Sequence, residues 1–371
     1  MSEAAEVLLK AKRYSNIKYG LAIAGIIYLL CLLFTAILTG ASGRLELWLI
    51  SIVPGKWLVM PLFLLVSFLV YYLLNFPLNL YHSYILEHKF LLSNQRFFAW
   101  LSDQVKNFAL SYFFSLILVS AFYFALRNYP KNWWWAIWLF WVFFNVILAR
   151  LLPVVIIPLF FKYKKLEDES LKERIIRLAE RLNIRVLGVF EIDFSKKTSK
   201  ANAAFAGWGK ARRVILADTL KDKYTHEEIE VILAHEFAHY KLRHLLKLIL
   251  INSLFGLICS FVIFKTDKLA LDFLGLASLS SLAALPLVII YLLLIGIIMQ
   301  PLEAFASRAF ERNADRMAIR VTGLKDHFIT MLDKLAAQNL ADRSVPPLIK
   351  FFFYDHPPIE ERLKMARLLP P

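Results

Sequence analysis

The sequence predicts an all-α integral membrane protein of about six transmembrane helices that carries a small α+β domain on its cytosolic side. Three observations lead there. Several apolar runs reach the roughly 20 residues that cross a bilayer core as a helix. Lysine and arginine gather in alternate segments between those runs. One of these charged segments, 162–244, has the mixed helix and strand patterning of a water-facing domain.

Composition supports the same class. Of 371 residues, 59% are hydrophobic, which excludes an ordinary soluble protein. The net charge of +15 suits nucleic-acid binding in the abstract, but the cations lie beside the apolar runs. They read as the positive-inside bias of cytoplasmic loops, with a lipid bilayer as partner and no nucleic acid. Cys31 and Cys259 both fall inside apolar runs, so a disulfide framework or a Cys-rich metal site is not expected. They read as small core side chains.

The first 20 residues carry Lys10, Lys12, Arg13 and Lys18 ahead of a long apolar stretch. No small-residue cleavage pattern follows, so this reads as an uncleaved span with a cytoplasmic N-terminus. The runs lie at about 20–39, 57–80, 107–126, 133–160, 245–265 and 282–300. Threading them places 81–106, 162–244 and 301–371 in the cytoplasm, and the weakly charged 40–56, 127–132 and 266–281 outside. The chain then divides into a four-span region 1–161, a cytosolic segment 162–244, a two-span hairpin 245–300 and a cytosolic C-terminal segment 301–371. Trp133, Trp134 and Trp135 are expected to anchor at an interface. Arg150, late in the fourth span, snorkels by default. Asn75, Asn79 and Tyr81 hint at a polar interior at the end of the second span. The aromatic and charged 81–106 reads as an amphipathic connector.

Within the cytosolic segment, 163–185 has helical apolar spacing with alternating charge. VLGVFEIDF and RRVILADTL then read as strands around a polar turn, SKKTSKANAAFAGWG. Asn202, Ala203 and Ala204 form the candidate edge, where an extended peptide is held by main-chain hydrogen bonds.

The next helix organises the rest. Thr225 followed three residues later by Glu228 reads as a capping box. Behind it stands HEFAH, with His235 and His239 four residues apart on one face. That spacing lets two ring nitrogens reach one zinc at about 2.0–2.1 Å. Glu236 is placed to hold a water at the metal without ligating it. The bland alternative, two structural histidines and a chance glutamate, leaves polar groups buried on an apolar helix.

A catalytic zinc takes three protein ligands and one open position. His244 lies on another part of the helix surface as a span begins, and no His-x-x-Gly-x-x-His extension is present. Glu311 in EAFASRAFERNADRMAIR is the better third ligand, giving a zincin-like His₂Glu set. Arg308, Glu311 and Asp315 share a face by helical spacing. Asp315 is expected to accept the second N–H of a ligating histidine, and Arg308 to pair with either carboxylate. An exposed, salt-bridged helix is the plainer reading. In FFFYDHPPIEERLKMARL, His356 precedes two prolines ahead of a helix starting at Ile359. His356 and Arg362 are candidates to stabilise an oxyanion.

These motifs resemble the type I CAAX prenyl proteases, integral-membrane zinc endopeptidases, over nearly the whole chain. The matching stretches are NFPLNLYHSYILEHKFLLSNQRFFAWLSD, IIPLFFKY with LEDESLKERI, SKKTSKANAAFAGWGKARRVILADTL, HEFAHYKLRH, SRAFERNAD and YDHPPIEERL. The resemblance implies one Zn²⁺ per chain on His235, His239 and Glu311, with Glu236 as general base. It implies supporting or substrate-side roles for Asp315, His356 and Arg362, and a substrate edge near Asn202. It also implies a ring of helices around a water-filled chamber, with 81–106 as part of the chamber floor. The family's members carry seven spans where six are read here, so a first helix is expected to be absent.

The expected activity is peptide-bond hydrolysis on a peptide or protein substrate, prenylated as in the family. A membrane quality-control protease without prenyl specificity is the rival enzyme, and an idle membrane scaffold the rival from another class. The absence of targeting signals points to a prokaryotic inner membrane with both termini and the site on the cytoplasmic side.

Overall fold

The protein is described here by a computed structural model covering residues 3–207 and 212–369. Trp208 and Gly209, at the end of the polar turn, lie outside the described residues. The membrane body opens with α1 (Glu3–Leu38), α2 (Ala41–Ile52) and α3 (Lys56–Leu80). A π-helical turn, Tyr81–Ile85, carries α3 on into α4 (Leu86–Lys89). Next come α5 (Phe97–Asn128) and α6 (Trp133–Leu151), the latter extended through a second π-helical turn, Leu152–Ile156, into α7 (Ile157–Phe160). Pro77 precedes the first π turn, and Pro153 and Pro158 lie in and after the second. Each lacks the N–H that would complete the helical ladder, and both widened turns lie beside these prolines.

The charged segment follows as β1 (Tyr163–Lys165), α8 (Glu169–Arg181), β2 (Gly188–Ile192), β3 (Ala203–Ala206) and β4 (Arg213–Ala217). The chain continues as α9 (His226–Lys241), α10 (His244–Leu274), α11 (Leu285–Thr322), α12 (Lys325–Gln338), α13 (Pro347–Phe353) and α14 (Ile359–Leu368). Among the described residues, six helices are long and apolar enough to cross a membrane, and the molecule is a multi-pass integral membrane protein.

The sheet runs β1-β2-β4-β3, with β2 and β4 parallel and both outer pairs antiparallel. β3 is therefore an edge. Its approach is tied down by the membrane body: Ser93 bridges Thr198, Asn94 N–H donates to Lys197 O at 3.1 Å, and Thr198 Oγ1 donates to Leu92 O at 2.7 Å. Asp103, near the start of α5, accepts from Gln95 at 2.6 Å and from Lys197 at 2.5 Å.

Several expectations change. The helix expected over 163–185 starts only at Glu169, where Asp168 accepts from Leu171 N–H at 2.9 Å as its cap. Residues 163–165 instead pair with β2, Tyr163 opposite Ile192. Most of 81–106 is helical, leaving only 90–96 as connector. Trp133 is buried against Phe122 and Phe264, with ring centroids 5.6 and 6.2 Å apart, and Trp134 packs on Phe261; the exposed ring is Trp135. Cys31 lies on the outer face of α1, while Cys259 is buried as expected. A cavity of about 700 Å³ lies between α3, α5, α6, α10 and α11. Its wall is mainly Phe, Trp, Leu and Ile, with Asn145, Asn252 and Glu303 among its few polar groups.

Candidate metal centre

The helix α9 begins with the capping box: Glu228 N–H donates to Thr225 Oγ1 at 3.3 Å and Thr225 N–H donates to Glu228 Oε2 at 3.0 Å. Behind the cap, Ile229, Val231, Leu233 and Phe237 are buried against α8, α12 and the sheet. The helix is held rigidly on those sides, which leaves His235, Glu236 and His239 turned toward α11. That second helix starts as a membrane span and emerges from it carrying Arg308, Glu311 and Asp315, all buried.

The two histidines and Glu311 converge. His235 Nε2 lies 3.0 Å from His239 Nε2, His239 Nε2 lies 3.1 Å from Glu311 Oε1, and His235 Nε2 lies 3.3 Å from Glu311 Oε2. Ligands at 2.0–2.1 Å from a tetrahedral zinc stand about 3.3 Å from one another, so this triangle is close to one face of such a site. Glu311 Oε2 is also buried without a well-aligned hydrogen bond. Two imidazole nitrogens and a carboxylate form a donor set suited to zinc, and the residues fit the ion.

Each partner is held from behind. His235 Nδ1 lies 2.9 Å from Asp315 Oδ1, and Asp315 is fully buried. Arg362 closes on Asp315 with both arms, Nε to Oδ2 at 2.8 Å and Nη2 to Oδ1 at 2.6 Å. Burial opposes a charge on His235, but the bonds to Asp315 and Glu311 outweigh it and raise its pKa to about 10. Glu236 is different. Its carboxylate has no hydrogen bond or ion pair among the described residues, and burial raises its pKa above the usual carboxylate value.

Two sequence expectations need correction. Arg308 pairs with neither carboxylate; its Nη1 donates to the carbonyls of Lys350 at 2.8 Å and Tyr354 at 2.5 Å. Carbonyls at a helix C-terminus lack intrahelical partners, and the end of α13 supplies them within reach. Arg308 therefore fixes the segment that presents His356. The fork of Arg362 engages Asp315, which places it behind a ligand rather than free to face an oxyanion. His356 does enter the site, with Nδ1 2.8 Å from Glu311 Oε2.

Along the other side runs β3. Phe205 packs on Phe237 and Tyr240, with centroids 4.9 and 5.6 Å apart, which pins the strand to α9. Asn202 is exposed, its carbonyl accepts from Ala217 N–H at 3.0 Å, and its side chain has no hydrogen bond among the described residues. Ala203 and Ala204 follow on the free edge. One residue that sequence reasoning set aside also belongs here: His244 Nδ1 lies 2.9 Å from His239 Nδ1. Its signal was hidden because α9 breaks at Arg243, whose φ of 57° starts a new helix and turns His244 back toward the site.

A family model described as peptidase family M48 matches residues 165–369, and one described as CAAX prenyl protease N-terminal, five membrane helices, matches residues 3–162. Within that N-terminal stretch the described residues have four helices long and apolar enough to span, plus the 12-residue α2. An uncharacterized metalloprotease, YhfN, of Bacillus subtilis is 31% identical over 363 residues, which are 97% of this chain and 85% of that one. CAAX prenyl protease 1 of Saccharomyces cerevisiae is 29% identical over 309 residues, 78% of this chain and 68% of its own. The crystal structure of S. mikatae Ste24p superposes with a TM-score of 0.88 at 25% identity, covering 97% of this chain and 89% of that one.

Proposed function

The chain belongs to peptidase family M48 and is a membrane metalloprotease, and on that premise we propose that it is a zinc-dependent endopeptidase holding one Zn²⁺ on His235, His239 and Glu311. The observation that carries this reading is the triangle of donor atoms at 3.0–3.3 Å. A zinc ion there supplies Lewis-acid charge and lowers the pKa of a water toward about 7.

The chain's own groups do the rest. Main-chain groups of Asn202, Ala203 and the free edge of β3 hold the peptide extended, so the scissile bond lies across the mouth of α9. Glu236, unpartnered and raised in pKa by burial, accepts a proton from the attacking water and passes it to the departing amide nitrogen. Hydrogen bonding to Glu311, reinforced by its charge and that of Asp355, raises the pKa of His356. Its Nε2–H is then the donor available to the oxygen that becomes negative. Asp315 and Arg362 keep His235 in one orientation, and Arg308 keeps His356 in place.

The site lies on the cytoplasmic side, as the charge bias of the loops supports. The substrate is a membrane-presented peptide, prenylated as in the CAAX proteases the chain resembles. Glu236→Gln should keep zinc bound while cleavage falls by about 10²–10⁴-fold; retained cleavage would end the assignment of the base. Mass-spectrometric mapping of products from farnesylated and unprenylated CAAX peptides, with and without chelator, tests metal and substrate together. Equal cleavage of both peptides would favour the quality-control reading.

A further inference from the structure

His244 lies outside the roles assigned so far. It is 1% exposed, its Nδ1 is 2.9 Å from His239 Nδ1, and its ring stacks on Phe310, centroids 4.7 Å apart and planes within 16°. Phe310 immediately precedes Glu311. His244 therefore sits between one candidate ligand, His239, and the residue next to another, Glu311. We infer that His244 is a positioning residue: it accepts the Nδ1–H of His239, fixes that ring's tautomer and aims its Nε2 lone pair at the metal.

The proton accounting supports this. A neutral imidazole has one donor and one acceptor nitrogen. His239 Nε2 faces His235 and Glu311, so a lone pair there puts the His239 proton on Nδ1. That N–H can bond His244 Nδ1 only if His244 carries its own proton on Nε2. The Nε2 atom is buried with no hydrogen-bond partner. A buried polar atom without a partner is destabilising, and a phenylalanine at this position would fill the space and stack on Phe310 without that penalty. Packing does not account for an imidazole here; an acceptor does. The backbone agrees, since Arg243 adopts a left-handed conformation disfavoured for a non-glycine residue, and this turns the first residue of α10 back onto α9.

Support for the two histidines is thus asymmetric. His235 leans on a carboxylate backed by Arg362, His239 on a neutral ring.

The inference rests on the zinc reading, and two variants separate them. His244→Asn places an amide oxygen near the position of Nδ1 and keeps an acceptor; His244→Phe keeps the volume and the stacking but has none. Full-length protein in detergent would be stripped, reloaded and titrated by chelator competition, and the visible spectrum of the Co²⁺-substituted form recorded. The Phe variant should bind zinc about 10–100-fold more weakly, with an altered Co²⁺ spectrum. The Asn variant should stay close to wild type in both. Equal affinities in the two variants, whether both normal or both weakened, would overturn the inference. If wild-type protein binds no zinc, the parent reading fails instead.

Discussion

In the membrane body, α3 turns Leu73 and Leu74 outward, 72% and 50% exposed, whereas in the sheet-bearing domain α8 turns Leu171, Ile175 and Leu178 inward at no more than 1%. The first arrangement suits lipid, where outward apolar side chains are already solvated and helices associate through close packing. The second suits water, where removing those side chains from solvent is the main driving force. The difference teaches where the chemistry has to be. A buried carboxylate or imidazole is tolerable only where partners can be packed around it. Such partners accumulate at the seam, where α11 leaves the apolar body and lies along α9.

The contrast can be broken deliberately. Leu332→Ala, in the fully buried core of the sheet-bearing domain, should cost about 2–5 kcal/mol. Leu73→Ala, facing outward on α3, should change stability in detergent by less than about 0.5 kcal/mol. Thermal unfolding of both would test this, and similar losses would erase the distinction between the two solvents. At the seam, Asp315→Asn keeps the volume but removes the charge between His235 and Arg362, and should weaken zinc binding about 10–100-fold by chelator competition. Unchanged affinity would mean that the seam does not depend on charge.

The smallest effect belongs to the start of α9. Thr225→Ala removes half of the capping box and should cost about 1 kcal/mol. Its partner Glu228 adds a pH dependence. Burial raises the pKa of Glu228, but the bonds from Lys334, Thr225 N–H and Thr330 outweigh it and hold the folded value below the ordinary one. Its contribution is therefore present above the unfolded carboxylate pKa and disappears as pH falls through the lower folded value. The Tm gap between wild type and Glu228→Gln should close on acidification below about pH 4. A gap that widened instead would reverse the sign of this argument.

Local rules made much of the site legible. The capping box and the spacing of His235 and His239 on one helical face need only the neighbouring residues, and both stand as read. Charge bias and run length likewise gave six spans. Glu311 was reachable through helical spacing with Asp315, because both ends of that pattern lie on one helix. Readings that failed involved partners distant in sequence. Arg308 found carbonyls more than 40 residues away, and Trp133 was covered by Phe264 from α10.

What this sequence determined by itself is whatever follows from period and neighbour: which segments span, where α9 begins, and which side chains share a helix face. Only the tertiary structure decided that α11 crosses α9 at Glu311, that Arg362 backs Asp315, and that the break at Arg243 folds His244 onto His239. The reason is physical. Helical periodicity is set by backbone geometry within a few residues. The meeting of two helices is set by how whole faces pack, and a single left-handed residue redirects everything after it without leaving a mark in composition.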